Sequence, residues 1–363
     1  MQHSKTMLPN IQILRGFAAL LVVISHLASA LVHAELPNVM PDTSFGYFGV
    51  DLFFVISGFI MLHVTEPDSG PQPAARFLLR RMVRIIPLYW LFTTLTLVLT
   101  LHAYRHGRLG SFAIWHTIAS YLFVPFPEMP GSTDIYPIYD VGWSLNYEML
   151  FYVCFASAML LAPRFRLPTV AGLFLGLALL GSLVDLPLPL SFWARSNILE
   201  FVFGMLVAQA LRHGVRMPAW SAVALAAVGV AGVLVFLPYS EDWDALRGLG
   251  WGLPAAAIVA AGALVRRAEG NPLTRALEGL GDASYSLYLL HPAFYDGVIV
   301  LSRRAIASHD LRFRFLIPIM LIGAIAASFA LYRMIERPMT RALQRAIVGR
   351  TSVVPATPPA IST

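Results

Sequence analysis

The sequence predicts an all-α polytopic membrane protein, a bundle of about ten transmembrane helices with both termini cytoplasmic. Three observations predict it. Of the 363 residues, 57% are hydrophobic and only 13% charged, whereas soluble domains carry about 25% charged residues. Apolar stretches of spanning length recur along nearly the whole chain, each near the roughly 20 residues that a bilayer asks of a helix. Basic residues gather in alternate loops, the pattern that sets orientation. The formal charge of +6 therefore records topology, and the expected partner is the lipid bilayer rather than nucleic acid.

Taken in order, the expected spans are 11–33, 47–65, 85–102, 143–162, 168–185, 196–211, 217–237, 247–265, 281–301 and 315–335. The first lacks a small-residue cleavage site and carries Arg15, so it reads as a retained helix and not a signal peptide. Ser111 to Val124 is apolar but short, which suits an interfacial or re-entrant helix within the long loop 103–142. With the N-terminus inside, 17 of the 26 Lys and Arg residues fall in inside segments and eight outside, as the positive-inside rule requires. The loop 302–314 opposes the rule with four arginines outside. The single Cys154 can form no intrachain disulfide. Residues 1–340 are expected to form the transmembrane domain. Residues 341–363 are expected to be a cytoplasmic tail, disordered where Pro, Ser, Thr and Ala dominate from Thr351.

Ionisable residues inside spans are costly and are functional candidates by default. Arg15 and His26 stand on one face of the first span, about 16 Å apart at 1.5 Å per residue. With this topology His26, Asp51, Glu148 and Glu200 all come to roughly 6–10 Å below the outer boundary. Each carboxylate taken alone also reads as a snorkelling or helix-capping group, and His26 alone as an interhelical hydrogen bond. Together they form one protonatable slab, in which a neutral imidazole oriented by a carboxylate is suited to general-base work on a hydroxyl. At the inner side Arg76, Arg80 and Arg84 share a helix face with Arg81 beside them. That group serves either as an anchor on anionic lipid or as a phosphate cradle, since guanidinium pairs phosphate oxygens bidentately. The hydroxyls of Ser284, Ser286 and Tyr288 read as packing glue between helices. His291 lies near mid-membrane, where Pro292 is expected to kink the helix. Glu336-Arg337-Pro338 reads as a structural ion pair with a helix stop. No metal site is expected.

These motifs together resemble the acyltransferase-3 family. They are Arg15 with His26 eleven positions on; Phe48-Gly49-Val50-Asp51-Leu52-Phe53-Phe54-Val55-Ile56-Ser57-Gly58-Phe59; Arg81-x-x-Arg84; Trp143-Ser144-Leu145-x-x-Glu148; Ser284-Tyr285-Ser286-x-Tyr288-x-x-His291-Pro292; and Glu336-Arg337-Pro338. The resemblance implies a bacterial inner-membrane protein that acylates sugars, usually with acetyl groups, drawing on cytoplasmic acyl-CoA as co-substrate. No bound cofactor is implied. It carries the family's Arg/His pair over to Arg15 and His26, and its Arg-x-x-Arg motif to Arg81 and Arg84. Some members carry a fused SGNH-type domain. This chain stops soon after the tenth span, which is expected to mean the standalone form, acting alone or with a separate extracytoplasmic partner.

The expected roles follow. Arg15, Arg81 and Arg84 bind the donor; His26 is the base, oriented by Asp51 or Glu148; Glu200 and Trp143 bind the carbohydrate, such as exopolysaccharide or O-antigen. Two rivals stay open: a transporter that relays ions through the protonatable slab, and a carrier that passes acetyl outward on His26 or Cys154.

Overall fold

The computed structural model describes residues 8–34, 43–65, 70–106, 113–129, 132, 135–239, 246–265, 271–305 and 309–348. Fifteen α-helices follow in order: α1 (Pro9–His33), α2 (Phe48–Val64), α3 (Pro71–Arg105), α4 (Ile114–Tyr121), α5 (Trp143–Ala158), α6 (Pro163–Leu183), α7 (Leu190–Trp193), α8 (Leu199–Arg212), α9 (Ala219–Phe236), α10 (Arg247–Gly250), α11 (Gly252–Leu264), α12 (Pro272–Asp282), α13 (Ser284–Ala305), α14 (His309–Leu331) and α15 (Arg337–Leu343). Among the described residues there is no strand, only an isolated bridge between Met217 and Val265.

Seven helical segments among the described residues are long and apolar enough to cross a membrane: α1, α2, α3, α6, α9, α10 with α11, and α14 with its extension. Every one of the ten expected spans overlaps a helix. Those on α5 and α8 are shorter than the spans drawn from sequence, at 16 and 14 residues, while α13 carries Ser, Tyr and His through its first half. Helix starts obey local chemistry. Proline opens α1, α3 and α6, where its missing N–H costs nothing. At α12, Asn271 and Thr274 form a reciprocal capping box.

Several expectations are revised. The basic segment and the third span form one helix of 35 residues, running through Pro87 without a break. The short apolar segment of the loop 103–142 folds as α4, of eight residues. The loop 302–314 shrinks, because α13 reaches Ala305 and α14 begins at His309; the side chains of residues 304–315 lie outside the described ones. Pro338 does not stop the last span. A π-helical turn over Tyr332–Glu336 leads directly into α15, with Pro338 in its first turn, where a proline needs no i−4 partner. Helical structure then continues to Val348, and the rest of the tail expected over 341–363 lies outside the described residues.

Two apolar cores hold the bundle. The larger joins α2, α3, α5, α8 and α11, and the smaller joins α1, α13 and α14. Phe53 packs against both. Inside the larger core, α2 and α8 cross in backbone contact: a Cβ on Gly58 would meet the Phe201 backbone, and one on Gly204 the Val55 carbonyl. Small residues permit this approach between helices that lipid cannot push together. Gly58→Ala should therefore force the helices apart and cost about 2–3 kcal/mol, as overpacking does. Gly176→Ala, with open space at its Cβ, should be neutral or stabilising by up to ~1 kcal/mol. Thermal unfolding of the two purified variants in detergent checks the contrast; equal melting temperatures would refute the crossing.

Candidate active site

Part of the candidate set lines one cavity between α1, α2, α3, α5 and α13, with about 740 Å³ of empty space, open solvent at its mouth included. Three arginines line it, Arg15, Arg81 and Arg84, against a single carboxylate, Glu148. Only part of the basic segment joins Arg15 there: of the four arginines from Arg76 to Arg84, the i, i+3 pair Arg81 and Arg84 reaches the cavity. Arg80 stays exposed. Arg81 crosses the Phe77 ring at 5.6 Å. Arg15 is buried and braced from both sides, with Nη1 donating to Gln12 Oε1 at 2.9 Å and Nη2 to Ser284 Oγ at 2.9 Å. A guanidinium has five N–H donors, so this bracing leaves others for a ligand.

Beyond the arginines the lining becomes largely apolar, with Val50, Phe53, Phe54, Ile56, Ile60 and Met61 from α2. Glu148 closes one side of the cavity. Its Oε1 accepts from Ser57 Oγ at 2.9 Å and from the Tyr152 hydroxyl. Tyr285 donates to the Ile85 carbonyl at 2.7 Å. Tyr288 donates to the Val141 carbonyl at 2.5 Å and lies 2.8 Å from Ser144 Oγ. Ser57, Tyr152 and Tyr285 carried no assigned site role in the sequence reading. Tyr152 stands one helical turn after Glu148, a spacing that could have flagged it.

His26 is not among the residues that line the cavity, where the rings of Phe53 and Tyr288 meet at 6.0 Å as an aromatic layer. The expectation that Asp51 or Glu148 orients His26 is corrected: its Nδ1 lies 2.9 Å from the Val22 carbonyl one turn back. Its ring neighbours are Tyr47, at 6.2 Å between centroids, and His291, at 4.9 Å and 69°. His291 in turn meets the ring of Tyr288, which lines the cavity.

Asp51 and Glu200 form a separate cluster. Asp51, with a side chain 1% exposed, takes Arg247 Nη2 at 3.3 Å; Arg247 also covers the Trp251 ring at 5.0 Å. Glu200, fully buried, lies against Asp51. Helix rotation explains the separation. Asp51, Val55 and Gly58 share the face of α2 turned to α8, whereas Val50, Phe53, Phe54 and Ser57 face the cavity. Trp143 packs on Phe54 and Tyr147 and does not line the cavity. Glu336 makes no ion pair with Arg337 among the described contacts. It is buried and takes Ser286 Oγ at 2.5 Å, within electrostatic range of Arg84 and Arg15. Cys154 lies half-buried in α5, away from the cavity. Among the described residues no group of three or more potential ligands could hold a metal.

A family model described as an acyltransferase domain matches residues 8–333. The chain is 36% identical over 307 residues to the exopolysaccharide production protein ExoZ of Rhizobium meliloti, covering 82% of this chain and 90% of that one. It is 26% identical over 386 aligned positions to the acyltransferase MdmB of Streptomyces mycarofaciens, covering 96% of each. No solved structure matches.

The Asp51–Arg247 pair has a consequence of its own. Removing one partner of a buried pair strands a charge, at a cost of about 3–5 kcal/mol. Arg247→Met should lower the melting temperature sharply, and Asp51→Leu with Arg247→Met should recover part of the loss. Strictly additive losses in the double variant would show that the pair is not coupled.

Proposed function

The chain belongs to the acyltransferase-3 family, and from that premise we propose that it transfers an acyl group, acetyl in its ordinary reaction, from acyl-CoA to a hydroxyl of a carbohydrate. The observation that carries this reading is the cavity itself, where three arginines, one buried and two half-buried, face one carboxylate. Such an excess of positive charge favours a multiply anionic ligand. Diphosphate and ribose phosphate of a coenzyme A ester suit Arg15, Arg81 and Arg84, and the less polar pantetheine arm suits the wall from Met61 to Val50. That wall is about 16 Å long at 1.5 Å per residue. The similarity to a protein named for exopolysaccharide production supports a polysaccharide acceptor.

In the proposed reaction the thioester stops at the Phe53–Tyr288 layer, with His26 on its far side. A carbonyl oxygen can only accept, so the His26 Nδ1 facing Val22 carries the hydrogen and Nε2 is left basic. Nε2 takes the proton of the acceptor hydroxyl as its oxygen attacks the thioester carbon. The C–S bond then breaks, and the coenzyme A thiolate leaves with the proton returned from His26. With both termini cytoplasmic, the arginine end opens to the cytoplasmic acyl-CoA pool, and the His26 end meets an acceptor outside the cytoplasmic membrane.

Membranes supplied with radiolabelled acetyl-CoA test this. Label should reach carbohydrate without an ion gradient; label that never leaves acetyl-CoA would refute the transfer. His26→Ala should lose roughly 10²–10⁴-fold in kcat, the range of a general base, with the protein still inserted. Arg84→Ala should raise KM for acetyl-CoA by roughly 10- to 100-fold, the loss of a charge-assisted contact, and an unchanged KM would remove Arg84 from the donor site.

A further inference from the structure

His291 is fully buried, and its Nε2 has no hydrogen-bond partner among the described residues. A buried polar atom left unpaired costs stability, and native interiors hold few of them. The remainder of the ring is well fixed. Nδ1 lies 3.1 Å from the Leu287 carbonyl, which must accept, so the hydrogen sits on Nδ1 and Nε2 presents a lone pair. Pro292 follows directly on the same helix, and α1 packs across it.

Three rings surround the His291 imidazole: His26 at 4.9 Å, Tyr295 at 5.8 Å and Tyr288 at 6.2 Å between centroids. Neither phenol is available to it. Tyr295 donates to the Val23 carbonyl at 3.0 Å, and Tyr288 to the Val141 carbonyl at 2.5 Å. Among these rings, His26 is therefore the one that gains a positive charge and an N–H in the course of proton transfer. No carboxylate stands on His26 to receive that charge, because Asp51 takes Arg247 and Glu148 takes Ser57.

We propose that His291 is a positioning residue for His26, its neutral Nε2 turned to the ring that becomes charged during acyl transfer. The assignment rests on the reading of His26 as the base. It supplies the partner that the sequence led one to expect from a carboxylate, with a physical difference. A carboxylate would also stabilise the imidazolium, and its full negative charge would act on His26 at rest as well, favouring the protonated form there. A neutral nitrogen stabilises the imidazolium when it forms and leaves the resting base neutral, a preorganised dipole of the kind that lowers a barrier.

Two variants test it. His291→Phe keeps the ring shape and removes the lone pair; His291→Gln keeps an acceptor oxygen at about the same reach. In His291→Phe, kcat for transfer from radiolabelled acetyl-CoA in membranes should fall roughly 10- to 100-fold, the worth of a contact to a charged group. KM for acetyl-CoA should not move, and His291→Gln should restore most of kcat. A kcat for His291→Phe within about two-fold of the parent protein overturns the proposal. So does a His291→Gln variant that is folded yet as slow as His291→Phe. A second measurement needs no substrate. An unpaired nitrogen kept for function predicts that His291→Phe melts at the same temperature as the parent or higher, whereas a packing role predicts a lower one and would overturn the proposal. Parent protein that shows no transfer from acetyl-CoA would instead sink the donor reading, and the melting comparison would still decide for or against His291.

Discussion

A membrane interior offers no water to a polar side chain, and α13 meets that constraint by engaging most of its hydroxyls with neighbouring segments. Ser284 takes Arg15 of α1, Tyr285 bonds the Ile85 carbonyl of α3, and Ser286 reaches Glu336 after α14. One turn on, Tyr288 bonds the Val141 carbonyl ahead of α5, and Tyr295 returns to the Val23 carbonyl of α1. Tyr139 completes the set by donating to the Leu289 carbonyl. Each bond alone is worth about 1 kcal/mol or less. Their effect is geometric: one helix fixes the positions of three others around the cavity. The arginine end stays open in that arrangement because Arg15 is braced from the side.

The same constraint sorts the ionisable groups into three sets. Arg15, Arg81, Arg84, Glu148 and Glu336 gather at the cavity and its arginine end, Asp51, Glu200 and Arg247 lie between α2, α8 and α10, and His26 and His291 meet between α1 and α13. Only the first set carries an excess of positive charge, three arginines against two carboxylates. Interiors of low dielectric amplify such an imbalance, so this is where an anion gains most by binding. The second set is held by one contact, Arg247 against Asp51 and laid over Trp251, and it reads as a clamp between α2 and the chain beyond α9.

How much of this was legible follows from what a linear reading measures. Apolar windows located the helices, because length and composition decide whether a segment can cross a bilayer. The arginines at 15, 81 and 84 were legible too, since buried charge is rare enough to stand out. The carboxylates were misgrouped because depth along a helix was compared without rotation around it. Asp51 and His26 were expected at similar depth, yet Asp51 turns to α8 and His26 to α13. The period of 3.6 would have separated Asp51 from Phe53, Phe54 and Ser57, but nothing in the sequence says which face of α2 meets which neighbour. Arg247 as the partner of Asp51 was out of reach for the same reason: 196 residues separate them. Pro338 misled because a proline marks a helix stop only where the preceding turn is regular, and here a π-turn stands before it.

The division between cavity and histidines bears on how a reaction could be confined. Arginines and apolar wall line the cavity with Phe53 and Tyr288, whereas His26 and His291 stay out of the lining, and the His291 ring meets Tyr288. The two rings of the layer are not equivalent. Tyr288 is anchored by its hydroxyl to α5 and the turn before it, so moving it would strand polar atoms in the interior. Phe53 has no polar anchor and touches both apolar cores, so a rotation of its ring costs only packing contacts. A reactive carbonyl on the cavity side therefore has its cheapest route to His26 past Phe53. Water has little reason to take that route, since the wall it would follow from Met61 to Phe53 is mostly hydrocarbon. Such a path admits an acyl group and disfavours hydrolysis by the same apolar surface, which is what a transfer reaction needs to prevail over loss to water.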